Sequence, residues 1–195
     1  MRKARYNSMY NNVKKFIREN IQLIDDFNWE ELYRVAKATF TFPGEVSEMT
    51  EFLFDCGLDL FDGKYRLKEI PAGFLWGTSR TEFFIPEHIT SIGAEAFANA
   101  KFTKITIPKN VKTIKYHAFC NCGDLNYVTI NTTQLPEKET IGPFTNCDEI
   151  YQIRFSGTMD QWRAMKPTIE LRMDTTVFCN DGAITYDEDG EEVRA

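Results

Sequence analysis

The feature that most constrains this chain is a repeat. Ile85-Pro86 recurs as Ile107-Pro108 after 22 residues and as Ile130-Asn131 after 23 more, and Phe155 follows after another 25. Phe97, Phe119 and Phe144 keep the same step, as do Ala100, Cys122 and Cys147, and then Phe102, Leu125 and Ile150. A looser unit, Ile70-Pro71-Ala72-Gly73-Phe74, stands one turn ahead of Ile92 to Phe97. A unit this short cannot bury its own apolar face, so consecutive units must stack and pool their hydrophobic side chains.

Within a unit, the spacing assigns the segments. Lys104-Ile105-Thr106-Ile107 alternates polar and apolar residues and stops at Pro108, which cannot donate to a sheet ladder, so it reads as a strand with its end marked. A second apolar anchor, Ile92 or Ile114, comes next, and then an Ala-Phe pair and the small or Cys position. Stacked strands form a parallel sheet, and the Ile, Phe and Cys columns form an inner ladder. The result is a solenoid.

These residues resemble the leucine-rich repeat family in its BspA-like variant, whose units read roughly IPxxVxxIGxxAFxxCxxLxxIxIP. Ile85 to Ile107 and Ile107 to Ile130 follow that pattern closely, whereas the third unit, from Leu135-Pro136 to Ile141-Gly142-Pro143-Phe144, departs from its spacing. The resemblance implies an α/β fold with a short leucine-rich-repeat solenoid over residues 67–186. It says almost nothing about activity, because function resides in sites grafted onto folds.

Both ends of the solenoid need covering. Thr158 and Gln161 form a capping box, so a helix carrying Trp162 and Met165 is expected to run up to Pro167. Thr176 to Cys179, Asn180-Asp181-Gly182 and Ala183 to Tyr186 then read as strand, turn, strand, which completes a C-terminal cap of helix plus β-hairpin. Residues 187–195 read as a frayed acidic tail. At the other end, Tyr6, Met9, Tyr10, Val13, Phe16, Ile17, Ile21 and Ile24 recur at spacings of three and four, the signature of a long amphipathic helix. Asn28 with Glu31 caps a second helix through Trp29, Leu32, Ala36 and Phe40, and Val46, Met49, Phe52, Leu53 and Cys56 mark a third. Residues 1–66 are therefore expected to form an N-terminal three-helix cap.

Composition narrows the function. Six basic residues and no acid lie between Met1 and Arg18, which leaves 17 basic and 29 acidic residues in the rest of a 195-residue chain of net charge -6. An acidic body repels phosphates, so a nucleic-acid partner is not expected. There is no apolar run long enough to span a membrane, and the basic start runs into Val13-Lys14-Lys15-Phe16 rather than an apolar stretch, so a cytoplasmic protein without a secretory signal is expected. The five cysteines, Cys56, Cys120, Cys122, Cys147 and Cys179, are an odd number and read as reduced thiols.

No cofactor, metal site or catalytic residue is expected. Cys122 and Cys147 share their column with Ala100, which ligates nothing, while Cys120 alone among the repeat thiols before the hairpin lies outside it. His88 and His117 occupy different repeat positions, and no GxSxG, HExxH, GxGxxG or GxxxxGKS/T pattern is present. Every candidate nucleophile or base thus has a structural explanation.

The informative surface is the concave sheet face. If Phe83-Ile85, Ile105-Ile107, Val128-Ile130, Ile153-Phe155 and Val177-Cys179 point inward, a period of two sends their neighbours outward. One exposed ladder then runs Glu82, Lys104, Tyr127, Gln152, Thr176, and the other runs Phe84, Thr106, Thr129, Arg154, Phe178. Tyr, Phe and Arg are frequent anchors of protein interfaces. The face is a candidate protein-binding patch, unless Phe84 and Phe178 are covered by the chain's own helices or hairpin. The first helix, with Lys14, Lys15 and Arg18 opposite its apolar stripe, is a second candidate surface.

The function expected is noncatalytic recognition of another protein. A helical module followed by such repeats also resembles small proteins encoded by tailed phages, which implies an accessory role such as inhibiting a host defence protein in the bacterial cytoplasm. The alternative is a homo-oligomeric structural protein, in which the apolar stripe or a sheet edge pairs with itself.

Overall fold

The computed structural model describes residues 15, 16, 19, 20, 68–133, 142–165, 175–187 and 191–193. The chain divides into two compact units, Met1–Leu67 and Lys68–Ala195. In the first, Lys15, Phe16 and Glu19 are helical, and Asn20 donates its backbone N–H and its Nδ2 to the Phe16 carbonyl at 3.0 and 2.8 Å. The rest of the three-helix cap expected over 1–66 lies outside the described residues.

The second unit is a solenoid, and two of its turns, residues 91–107 and 113–130, carry two strands rather than one. A three-stranded parallel sheet is formed by β1 (Glu69–Ile70), β2 (Ser91–Ile92) and, beyond a strand β3 (Lys104–Ile107) in the chain, β4 (Thr113–Ile114), in the order β1-β2-β4. A six-stranded sheet contains β3 (Lys104–Ile107), β5 (Tyr127–Ile130), β6 (Gln152–Phe155), β7 (Thr176–Cys179), β8 (Gly182–Tyr186) and β9 (Glu192–Val193) in that order. It is parallel as far as β7 and antiparallel beyond.

The single sheet expected from the repeat is thereby corrected to two. The anchors Ile92 and Ile114 each end a two-residue strand, too short to carry an alternation that a sequence could display. A second correction concerns residues 82–85, which lie outside any strand. Phe83 turns toward the aromatic core instead, with ring centroids 5.4 Å from Phe97, 6.1 Å from Phe74 and 6.4 Å from Phe102. Pro86, which lacks an N–H, then closes the segment.

A third ladder joins the turns between the sheets. Leu75 donates its N–H to the Ala96 carbonyl at 2.7 Å, Phe97 to Ala118 at 2.7 Å and Phe119 to Pro143 at 2.8 Å. Left-handed residues recur at two positions of the first three turns and at one of the fourth, which keeps the turns in step. Gly73, Glu95 and His117 occupy the first such column at φ between 54° and 63°, and Gly77, Asn99, Asn121 and Asn146 the second at φ between 57° and 67°. Asn is the residue after glycine that best tolerates this conformation. Two members of the Asn column are also bonded to each other, since Asn146 Nδ2 donates to Asn121 Oδ1 at 2.9 Å.

The core is a stack of rings and thiols. Phe97 lies over Phe119 at 5.1 Å and 21°, and Phe119 over Phe144 at 4.9 Å and 10°. Beside them the Cys122 thiol donates to the Phe97 carbonyl at 3.2 Å, and the Cys147 thiol donates to the Phe119 carbonyl at 2.9 Å. The small column therefore accepts cysteine for its weak donor as well as for its volume.

One glycine is required by close approach. A Cβ on Gly93 would stand 2.5 Å from the Ala72 nitrogen, 2.6 Å from the Pro71 carbonyl carbon and 2.7 Å from the Ile70 oxygen, all of them backbone. Gly93→Ala must separate β1 from β2 and is expected to cost roughly 3 kcal/mol, the upper end of overpacking, in a denaturant titration. A loss under about 0.5 kcal/mol would show that the two turns slide apart freely.

The C-terminal cap is largely as expected. α1 (Met159–Met165) begins with a reciprocal capping box, in which Gln161 N–H donates to Thr158 Oγ1 at 3.2 Å and Thr158 N–H donates to Gln161 Oε1 at 2.9 Å. Trp162 is wholly buried against Phe155 and donates its indole N–H to the Tyr186 hydroxyl at 3.0 Å. In the hairpin, Cys179 pairs with Gly182, so the loop is Asn180-Asp181 and Gly182 already belongs to β8. The tail is not frayed throughout: β9 pairs with β8, and Glu192 accepts from Arg163 Nη2 and Nε at 2.6 and 3.0 Å. An acidic tail gains order here because a cation on α1 faces it.

Candidate functional site

The open face of the six-stranded sheet is built by its register. Lys104, Tyr127, Gln152 and Thr176 are direct neighbours on successive strands, and Thr106, Thr129, Arg154 and Phe178 form the second row. Inward neighbours Ile105, Ile107, Val128, Ile130, Ile153, Phe155 and Val177 are buried, so period two forces these rows outward. Cys179, expected inward, is only half-buried because it sits at the hairpin loop.

Glu82 and Phe84 extend the face beyond β3 without being in a strand. Glu82 joins the first row through an ion pair, with Lys104 Nζ 3.2 Å from its Oε2. Phe84 is 80% exposed, Tyr127 45% and Phe178 43%. Within Lys68–Ala195 neither the hairpin nor the C-terminal helix covers Phe84 or Phe178, and the helices expected over 1–66 lie outside the described residues.

The face is also larger than the alternation indicated. β8 adds Ala183 opposite Phe178 and Thr185 opposite Thr176, whose hydroxyl lies 3.2 Å from that of Thr176, and β9 adds the exposed Val193. Tyr151 joins as well, packed edge-to-face on Tyr127 at 4.8 Å. Period two would send Tyr151 inward from Gln152, but Tyr151 precedes the strand, and its N–H shares the Asn126 carbonyl with that of Gln152 at 3.3 and 3.4 Å, so the alternation does not extend to it. A shallow polar groove lined by Thr81, Lys101, Thr103, Asp124, Asn126 and Glu149 runs along the same rim.

The chemistry of the face is recognition chemistry. A hydrogen bond with Tyr127 keeps the Tyr151 hydroxyl protonated above the usual tyrosine range. Two thiols are held in their neutral form: contact with the Cys122 thiol and then burial push Cys147 up, and burial followed by the neighbouring Cys147 and Glu95 raises Cys120. A thiol so raised is a poor nucleophile. His117 occupies a left-handed turn position against the Tyr116 ring. Among the described residues, no group of three or more His, Cys, Asp or Glu is arranged to hold a metal ion, and no helix is long and apolar enough to cross a membrane.

Fold and face together define a repeat protein whose distinctive surface is an open sheet. The BspA type leucine rich repeat region matches residues 68–165 in six copies, and the chain belongs to that family. Leucine-rich repeats are noncatalytic units that generally mediate protein–protein interaction. A crystal structure of a leucine-rich repeat protein from Bacteroides ovatus is 30% identical to this chain, with a TM-score of 0.39, over 45% of this chain and 23% of that one. No curated protein matches.

Proposed function

We propose that the chain binds another protein through the open face of its six-stranded sheet. The observation that carries this reading is the exposure of Phe84, Tyr127, Tyr151 and Phe178 on a face otherwise made mainly of Thr, Gln and Arg side chains. Aromatic anchors in a polar surround are the composition of energetic hot spots. In its finer form the reading is a phage-encoded accessory protein that acts in the bacterial cytoplasm by occluding a host defence protein. Occlusion requires a surface and no catalytic group, which agrees with the neutral thiols and the turn role of His117.

The test is affinity capture from bacterial lysate with mass spectrometry, using wild type beside a Tyr127→Ala, Arg154→Ala double variant. One protein is expected to be retained by wild type, and the double variant should bind it at least about 30-fold more weakly. Thermal midpoints should be nearly equal, because both side chains are exposed. Equal capture by both proteins would remove the face from the reading. A second reading, self-assembly, draws on β9 as the outermost strand of its sheet, an edge that a second copy could extend. Light scattering that returns a monomer at all concentrations sinks it.

A further inference from the structure

The charges on this face are unequally satisfied. Lys104 is paired with Glu82. Arg154 is exposed in the middle of the second row, and its neighbours across the strands are Thr129 and Phe178. The adjacent row offers Tyr127, Gln152 and Thr176, none of them acidic. Among the described residues, Arg154 has neither an ion pair nor a side-chain hydrogen bond. An unpaired guanidinium at the centre of an aromatic surface, in a chain of net charge -6, is an uncommon placement.

Resting on the sheet-face reading above, we infer that the partner presents a peptide segment with a carboxylate side chain next to an aromatic or aliphatic one, and that the carboxylate meets Arg154. Guanidinium and carboxylate match as planar forks and form paired hydrogen bonds. Phe178, one strand away at roughly 4.8 Å of strand spacing, excludes water from one side of that pair. The Tyr127–Tyr151 pair lies at the other end of the same strands and offers a ring surface for the apolar neighbour. The two rings brace one another, so little side-chain freedom is lost on contact. A nucleic-acid backbone fits less well: its many phosphates would need several cations, and among the described residues of the face only Lys104 stands beside Arg154, already held by Glu82.

A displayed library of random linear peptides, selected against the full chain, tests this. Wild type is expected to enrich sequences with Asp or Glu beside Phe, Tyr, Trp or Leu. The selected peptides should lose about 10- to 100-fold in affinity for Arg154→Gln, the loss expected for a charge-assisted hydrogen bond, and less for Arg154→Lys. Arg154→Glu should shift the selection toward peptides carrying Lys or Arg. Peptides without acidic enrichment, or equal binding to Arg154→Gln, would overturn the carboxylate. If such peptides still fail to bind a Tyr127→Ala, Phe178→Ala variant, the face reading stands alone; binding that survives there removes the face too. A library that yields no binder, or selected peptides displaced by a single-stranded oligonucleotide at physiological salt, also overturns the inference.

Discussion

Phe119→Ala is expected to destabilise the solenoid by about 3 to 5 kcal/mol, the cost of truncating a fully buried aromatic ring. The ring is 0% exposed and is the middle member of the Phe97–Phe119–Phe144 stack, so its loss leaves a void that spans two inter-repeat contacts. The void cannot collapse easily, because the Phe119 N–H is bonded to Pro143 and the Phe119 carbonyl accepts the Cys147 thiol. Against a typical total stability of roughly 5 to 15 kcal/mol this is a large fraction, visible as a fall in the denaturation midpoint. Phe84→Ala serves as the contrast: an 80% exposed ring should change stability by no more than about 0.5 kcal/mol. Similar losses for the two variants would mean that the stack is not the core of the array.

Trp162→Ala is expected to have the second large effect, again about 3 to 5 kcal/mol, with a different distribution along the chain. The indole fills the space between Phe155 and the hairpin, and its N–H is bonded to the Tyr186 hydroxyl. Tyr186→Phe removes the acceptor of that hydrogen bond and should cost at least about 1 kcal/mol. Because solenoid repeats interact chiefly with their nearest neighbours, the loss in Trp162→Ala should concentrate at the C-terminal end. Hydrogen exchange is expected to accelerate in β7, β8 and β9 before β3 and β5. Uniform acceleration across both sheets would show that the cap and the repeats unfold as one unit.

The repeat columns made the axis of the fold legible, and alternation made much of the sheet face legible. Ile105, Ile107, Val128, Ile130, Ile153 and Phe155 could be assigned inward because a strand has only two faces and a repeat has only one core. Thr158 and Gln161 announced α1 because a capping box is a local interaction, complete within four residues. The second sheet was not legible, since two residues ending in Ile92 or Ile114 carry no period. The left-handed columns were not legible either: Gly73, Gly77, Asn99, Asn121 and Asn146 suit that conformation, but Glu95 and His117 share it against their own preference, so no residue type marks the columns throughout. There the ladder of turns overrides the residue.

What the sequence by itself determined is the stacking: a period of 22 to 25 residues, a fixed set of inward columns and the residue types that occupy them. What only the tertiary structure decided is which outward residues meet one another and which stay alone. Lys104 finds Glu82 from outside the strand, Tyr151 packs onto Tyr127 from just ahead of its strand, Glu192 folds back to Arg163, and Arg154 is left unpaired among the described residues. Burial is written locally, because hydrophobic periodicity reports the environment of each residue on its own element. Pairing across a surface depends on register, bends and side-chain reach between segments far apart in the chain, and those are set only when the turns have stacked.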